Sequence, residues 1–213
     1  DPIADGPVIQ AADLRALKDD PDLPMDTIFD MVKAVRKQTD VPLVFLTYLN
    51  IVFRYGYEAF TARCEELGIE GLVIPDMPLE ERSELEPIAK KHNVDLIPLV
   101  TPISGDRIEK IAASATGFIY VVSSLGVTGE RSEFANGLAN LVNRIRKVTD
   151  VPTAIGFGIH TPEQATEMAQ IADGAIVGSA CVNIVAEYGR QAPAKLTDYT
   201  KQMKAAVNAH PVR

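Results

Sequence analysis

The chain has 213 residues and an excess of acidic groups, with 29 Asp and Glu against 21 Lys and Arg and a formal net charge of −8. Hydrophobic residues make up 46% of it, which is enough for a sizeable core in a globular domain. This charge balance disfavours binding to nucleic acid or to an anionic membrane, because both select clustered Lys and Arg.

The cysteine and histidine content indicates a reduced protein without a structural metal. Cys64 and Cys181 are too few for a disulfide framework, so we expect a reducing, cytoplasmic location. The three histidines, His92, His160 and His210, are scattered and show no metal-ligand spacing. No apolar run approaches the roughly 20 residues that a bilayer-spanning helix needs.

After a stretch at 1–24 that we expect to form a loop, short apolar runs alternate with longer amphipathic segments. The apolar runs, predicted to be strands, cover 42–47, 71–75, 95–100, 117–122, 152–156 and 174–178. The amphipathic segments, predicted to be helices, cover 25–39, 57–67, 79–92, 106–114, 134–148, 162–171, 181–188 and 193–209. This alternation predicts βαβ units with a buried parallel sheet, and we interpret 1–213 as one domain.

Glycine-rich turns follow the last three predicted strands, at 126–129, 156–158 and 178–179. A (β/α)8 barrel binds phosphate on the loops after its last two strands and at a helix N-terminus. A dinucleotide-binding fold would instead place Gly-x-Gly-x-x-Gly after its first strand, and that motif is not found there. The sequence therefore predicts the (β/α)8 TIM-barrel family. Because only six of eight strands are visible, we expect a barrel that is N-terminally incomplete.

Three polar residues allow more than one interpretation, and a fourth allows one. Asp5, in Asp-Gly-Pro, forms a turn or places a carboxylate at the barrel mouth as a general base. Asp76 follows a predicted strand and faces the catalytic side, caps the next helix or faces a partner. Tyr120 lies within a strand, where alternation alone leaves open which face it takes. His92 ends a helix, and we expect it to face solvent.

The glycine turns also have a structural and a functional interpretation. Thr128 and Gly129 lie in a surface loop or in a mobile lid. Gly158 and Gly178 serve packing, or they let the backbone approach a phosphate closely. Ser179 stands at a helix start, where backbone N–H groups and the helix dipole favour an anion.

Several segments resemble the tryptophan synthase alpha subunit family, in order and over essentially the whole chain. They are 1–10 (DPIADGPVIQ), 48–50 (YLN), 75–78 (PDMP), 123–129 (SSLGVTG), 156–158 (GFG) and 178–179 (GS). The first and fourth are specific, whereas the glycine pairs occur in many phosphate-binding barrels. The resemblance implies a (β/α)8 lyase that cleaves indole-3-glycerol phosphate to indole and glyceraldehyde 3-phosphate in tryptophan biosynthesis. It implies no cofactor in this chain, and a pyridoxal-phosphate beta subunit as partner in an alpha2beta2 assembly.

The same resemblance assigns roles to individual residues. It makes Asp5 the catalytic aspartate, which accepts a hydrogen bond from the indole N–H. The residues resembling the family's backbone phosphate cradle are Gly129, Gly158, Gly178 and Ser179. Those resembling its indole pocket or lid are Ile9, Leu46, Tyr120, Thr128 and Phe157. Those resembling its beta-subunit contacts are Asp1, Tyr48 and Asn50.

One departure keeps two alternatives open. The family also uses a glutamate at the end of its second strand, and that position would precede Asp1. Its absence from the chain supports a non-catalytic fragment that only docks a beta subunit. Another phosphate-sugar-binding TIM-barrel isomerase or epimerase is the second alternative, although the Asp5 segment and the loop at 126–129 disfavour it.

Overall fold

A computed structural model describes residues 5–123, 131–156 and 158–209, with side chains from residue 136 onward in the helix that begins at Arg131. The chain forms two compact units. The three-stranded unit comprises Leu17–Pro98 and Ala115–Gly117, and the four-stranded unit comprises Asp1–Ala16, Leu99–Ser114 and Phe118–Arg213. Among the helices in these described ranges, none is long and apolar enough to cross a membrane.

Helices and strands alternate along most of the chain. The strands are β1 (Leu43–Leu46), β2 (Ile69–Val73), β3 (Asp95–Ile97), β4 (Leu99–Val100), β5 (Ile119–Val122), β6 (Thr153–Gly156) and β7 (Gly174–Ile176). The helices are α1 (Pro7–Ala16), α2 (Met25–Arg36), α3 (Leu49–Tyr55), α4 (Tyr57–Leu67), α5 (Glu86–Lys91), α6 (Ile108–Ala113), α7 (Arg131–Arg146), α8 (Pro162–Ala169), α9 (Ser179–Tyr188) and α10 (Ala192–Asn208). Short 3₁₀ segments cover Leu79–Glu81, Pro102–Arg107 and Gly189–Gln191.

The three-stranded unit has a parallel sheet in the order β1-β2-β3. Side chains alternate across the pleat, so the register partners Phe45, Leu72 and Leu96 share one face. That face packs into a core that includes the fully buried rings of Phe29 and Phe60, whose centroids lie 5.4 Å apart. The opposite face is open at the β1 edge.

The four-stranded unit has a parallel sheet in the order β4-β5-β6-β7. On one face Val100, Ile119, Val121 and Ile155 are fully buried. The other face is only partly covered, and Tyr120 lies on it beside its register partner Ala154. The two faces follow from the period of two along each strand. The parallel α/β architecture predicted from the apolar runs is therefore confirmed.

Proline interrupts one predicted strand. The run at 95–100 forms two strands, β3 and β4, which belong to different sheets. Pro98 stands between them, and a proline has no N–H to donate to a strand ladder. The six predicted runs thus become seven strands in the described part of the chain.

The expectation of a loop over 1–24 was wrong for residues 7–16, whereas residues 17–24 form turns and loop as expected. Helix α1 occupies Pro7–Ala16, with proline at its first position, where a fixed φ suits a helix and no N–H is lost. The Gln10 N–H donates to the Gly6 carbonyl at 3.0 Å, and the Gln10 side chain donates to the Asp5 carbonyl at 2.7 Å. No residue of α1 is fully buried, so apolar periodicity gives little signal for it.

The sequence also missed α3, because its cap comes from a distant residue. The Leu49 N–H donates to the two carboxylate oxygens of Asp76 at 2.9 and 3.2 Å. Asp76 therefore caps α3, a helix that precedes it in the chain, whereas one interpretation of the sequence had it cap the next helix. The helix predicted over 79–92 is shorter than expected, since only Glu86–Lys91 is α-helical there.

Candidate functional site

The carboxyl ends of β6 and β7 bring two glycine turns to one edge of the four-stranded sheet. Gly156 and Ile176 are register partners, so the chain leaves both strands at the same level. Two residues further on in each case stand Gly158 and Gly178, and both are exposed. This is the edge at which α/β barrels carry their ligand-binding loops.

Gly178 and Ser179 form an open helix start. Gly178 is the N-cap of α9, and a Cβ built on it meets no other atom within 4 Å. Its carbonyl accepts from the N–H groups of Cys181 at 2.9 Å and Val182 at 3.3 Å. The N–H groups of Ser179 and Ala180 come earlier in the first turn, where helix geometry offers no intrahelical acceptor. This arrangement is suited to an anion.

Gly158 has a φ of +81°, a conformation that favours glycine. Its carbonyl lies 2.9 Å from Nδ1 of His160, which must be the donor because a carbonyl only accepts. The backbone of His160 is held in turn. Its N–H donates to Oε1 of Gln164 at 2.9 Å, and its carbonyl accepts from the Tyr199 hydroxyl at 2.9 Å. Sequence reasoning treated His160 only as a scattered histidine.

Gly156, at the other end of the β6 turn, is hydrogen-bonded to Ser123 and packs against the ring of Tyr120. Its carbonyl accepts from both the N–H and the hydroxyl of the fully buried Ser123, each at 2.9 Å. A Cβ on Gly156 would lie 2.5 Å from Cε2 of Tyr120 and 2.6 Å from its hydroxyl oxygen. Tyr120 therefore packs on the partly open face, and burial raises the pKa of its phenol.

Asp5 and Ile9 stand at the start of α1, in the same unit as these turns. Both are partly buried, and α1 packs against α9, the helix that begins at Ser179. Among the described residues, the four-stranded unit thus contains six of the predicted site residues. They are Asp5, Ile9, Tyr120, Gly158, Gly178 and Ser179.

Three other predicted site residues belong to the three-stranded unit, and four lie outside the described residues. Leu46 belongs to the three-stranded unit, where it ends β1 with 67% of its surface exposed, on the face opposite the core. In the same unit Tyr48 is partly buried directly before α3, and Asn50 is exposed in the first turn of that helix. Asp1, Thr128, Gly129 and Phe157 lie outside the described residues.

His92, expected in solvent, belongs instead to an acidic cluster of the three-stranded unit. Its Nδ1 lies 2.7 Å from Glu65 and its Nε2 lies 3.1 Å from Glu58, and its side chain is only 13% exposed. These hydrogen bonds, first that to Glu65 and then that to Glu58, raise the pKa of His92. Within the described ranges, no three His, Cys, Asp or Glu side chains are grouped so as to hold a metal ion.

Comparison with known proteins identifies the family of the chain. The model of the tryptophan synthase alpha chain family matches residues 1–209. The tryptophan synthase alpha chain of Lacticaseibacillus casei is 63% identical over 209 residues, which cover 98% of this chain and 78% of the relative. The chain belongs to the tryptophan synthase alpha chain family.

Solved structures give the same result for the fold. The tryptophan synthase alpha subunit of Campylobacter jejuni matches with a TM-score of 0.82 and 34% identity, covering 92% of this chain and 77% of that one. A chain from the tryptophan synthase a2b2 complex of Pyrococcus furiosus matches with a TM-score of 0.84 and 33% identity, covering 96% and 83%. The predicted TIM-barrel family is confirmed.

Membership of the tryptophan synthase alpha chain family also confirms the predicted function. The family cleaves indole-3-glycerol phosphate to indole and glyceraldehyde 3-phosphate in tryptophan biosynthesis, which is a lyase reaction. The alternative of another phosphate-sugar isomerase or epimerase is therefore set aside.

Proposed function

We propose that Asp5 is the catalytic carboxylate of the cleavage and that the glycine turns after β6 and β7 hold the phosphate of indole-3-glycerol phosphate. The observation that carries this proposal is the open start of α9 at Gly178, next to the turn at Gly158. The cradle consists of backbone N–H groups of Gly129, Gly158, Gly178 and Ser179. No Lys or Arg adjoins the last three in sequence.

Asp5 acts at the indole nitrogen. Retro-aldol cleavage needs a proton delivered to the indole ring carbon and a proton removed from the glyceryl hydroxyl, after which the carbon–carbon bond breaks. Positive charge develops on the ring nitrogen as the ring is protonated. A carboxylate that accepts a hydrogen bond from the indole N–H stabilises this charge in the transition state. We assign Asp5 this role, while proton transfer requires a second acid–base group.

The other predicted residues complete the proposal. In this proposal Ile9, Tyr120, Thr128 and Phe157 contact the indole ring. The assignment of Leu46 to the indole pocket stays a prediction from the family resemblance. Asp1, Tyr48 and Asn50 face the beta subunit, in an alpha2beta2 assembly such as the one named for Pyrococcus furiosus. Exposure of Asn50 in the first turn of α3 supports its availability to a partner. The chain works in the cytoplasm as one domain over 1–213, without a cofactor of its own.

The cradle is tested with Gly178→Ala. The added methyl has no protein neighbour within 4 Å and Gly178 has a negative φ, so the fold should tolerate it. It would stand where the phosphate approaches the backbone, and we expect KM for indole-3-glycerol phosphate to rise by about tenfold or more. Gly137→Ala, at a second open glycine within α7, is the matched control and should leave KM unchanged.

The catalytic role is tested with Asp5→Asn, which keeps the shape and removes the charge. We expect kcat to fall by about 10²-fold or more with a small change in KM. Normal turnover in Asp5→Asn would exclude this role for Asp5, and an unchanged KM in Gly178→Ala would exclude the cradle. If the unaltered chain binds a beta subunit but releases no indole, the protein is a docking fragment without catalysis.

A further inference from the structure

His160 lies at a junction of three elements around the β6 turn. Its backbone N–H is bonded to Gln164 at the start of α8, its carbonyl is bonded to Tyr199 on α10, and its ring is bonded to the carbonyl of Gly158. Each of the three distances is 2.9 Å. The side chain of His160 is exposed, whereas that of the preceding Ile159 is buried in the core.

The hydrogen bond from the His160 ring to the Gly158 carbonyl restrains a backbone segment that would otherwise rotate easily. Gly158 has no Cβ and a φ of +81°, so few steric contacts limit rotation about its backbone. The carbonyl of Gly158 and the N–H of Ile159 belong to one planar trans peptide. The N–H of Gly158 itself belongs to the preceding peptide. Holding the Gly158 carbonyl toward His160 acts on that N–H by restraining the rotation ψ of Gly158, which sets the carbonyl relative to the Gly158 nitrogen. The hydrogen bond requires a proton on Nδ1. One of the two neutral tautomers of His160 carries that proton, and so does the doubly protonated ring.

We propose that His160 is a positioning residue for phosphate binding: its Nδ1–H holds the Gly158 carbonyl and so restrains the backbone of the residue whose N–H belongs to the proposed phosphate cradle. The inference rests on the proposed phosphate cradle and adds to it a side chain that does not touch the substrate. Ser123 does the corresponding work at the other end of the turn, through the carbonyl of Gly156. A turn fixed at both ends loses less conformational freedom when the phosphate binds.

The test compares a phosphate ligand with the same ligand lacking phosphate. Indole-3-propanol phosphate keeps the indole and the phosphate but lacks the glyceryl hydroxyls, so retro-aldol cleavage cannot occur. Indole-3-propanol lacks the phosphate as well. Affinities of the complete chain for both are measured by calorimetry in the unaltered protein, His160→Ala and His160→Asn. The amide N–H of asparagine can replace Nδ1–H as donor.

We expect His160→Ala to weaken binding of indole-3-propanol phosphate about fivefold, the scale of one hydrogen bond, and to leave binding of indole-3-propanol within about twofold. His160→Asn should return the phosphate ligand to within about twofold of the unaltered protein. Equal weakening of both ligands would show a general structural role and overturn the inference. Unchanged affinity in His160→Ala, or no recovery in His160→Asn, would overturn it as well.

Gly178→Ala, measured with the same two ligands, separates this inference from the proposed cradle. If Gly178→Ala weakens phosphate binding and His160→Ala does not, the cradle stands and the role of His160 is wrong. If Gly178→Ala has no effect, the phosphate binds elsewhere and the cradle itself is wrong. If the unaltered chain does not bind indole-3-propanol phosphate, both proposals are wrong.

Discussion

Each unit holds the start of one strand with an arginine–carboxylate pair, which we call a clamp, and the two clamps differ in which side chain makes most of the hydrogen bonds. In the three-stranded unit Arg36, the last residue of α2, is paired with Glu70 at 3.0 Å, and Glu70 accepts the first N–H of β1, from Leu43, at 2.6 Å. In the four-stranded unit Arg146, the last residue of α7, is paired with Asp173. Asp173 accepts the first N–H of β6.

The two clamps differ in where their hydrogen bonds converge. Arg36 also donates to the carbonyls of Leu67 at 3.1 Å, Val41 at 2.6 Å and Gly68, so its guanidinium carries that clamp. Arg146 reaches Asp173 only at 3.4 Å, and its buried Nε has no hydrogen-bond partner among the described residues.

In the clamp of the four-stranded unit, the Asp173 carboxylate accepts most of the hydrogen bonds. Asp173 accepts from the N–H of Thr153 at 2.9 Å and from its hydroxyl at 3.0 Å. Thr153 is almost fully buried. In both units a carboxylate accepts the first N–H of a strand. Most of the other hydrogen bonds of the clamp are made by the arginine in the three-stranded unit and by the carboxylate in the four-stranded unit.

The largest expected effect is the loss of the clamp of the four-stranded unit. Asp173→Ala leaves the buried N–H and hydroxyl of Thr153 without their acceptor, and we expect the free energy of unfolding to fall by about 2–3 kcal/mol. Urea unfolding measures this. Asp198→Ala, at an exposed carboxylate on α10 of the same unit, is the control and should change stability by about 0.5 kcal/mol or less. A loss in Asp173→Ala no greater than in the control would contradict the clamp.

A smaller effect comes from exchanging each arginine for methionine. Arg36→Met removes several good hydrogen bonds to partly exposed carbonyls, and we expect a loss of about 1–2 kcal/mol. Arg146→Met removes one long contact together with a buried donor that has no acceptor, so we expect a change within about 1 kcal/mol in either direction. Equal losses in the two variants, measured by urea unfolding, would remove the distinction between the clamps.

The smallest expected effects are in the pH dependence of stability, where Asp173 of the four-stranded unit and His92 of the three-stranded unit differ in sign. Burial raises the pKa of Asp173, but hydrogen bonds from Thr153 and the charge of Arg146 outweigh it and lower the pKa overall. Its contribution is therefore present above the unfolded-state pKa and is lost as pH falls through the folded-state pKa.

His92 has a raised pKa, so its contribution is present below the unfolded-state pKa and is lost as pH rises through the folded-state pKa. Urea unfolding between acid and neutral pH should show a flatter acid limb in Asp173→Asn. It should show a flatter limb near neutrality in His92→Gln. The opposite assignment of the limbs would refute these directions.

The sequence predicted the elements whose signal is local. Helix α4 was predicted with its observed ends, because Gly56 and Gly68 bracket an amphipathic segment. The start of α9 was placed within two residues, and Gly178 with Ser179 was placed at it. Elements that depend on distant partners were missed, such as α3, whose cap comes from Asp76, 27 residues further along the chain.

The candidate site divides in the same way. Asp5, Gly158 and Gly178 stand in short motifs that a sequence displays directly. The part played by His160 depends on the backbone conformation of Gly158 and on a tyrosine 39 residues away. The hydrogen bond from Tyr199 leaves no pattern in the sequence, because it joins residues that are distant along the chain.

Because Tyr120 packs against Gly156, its fluorescence can report whether an indole is bound near the β6 turn. The protein contains six tyrosines and no tryptophan, so an indole added to it is the sole indole chromophore in the sample. Light absorbed by the phenol of Tyr120 is emitted in the range that indole absorbs. An indole held near the β6 turn would quench this tyrosine emission and fluoresce itself, which gives an unlabelled signal for occupancy of the site.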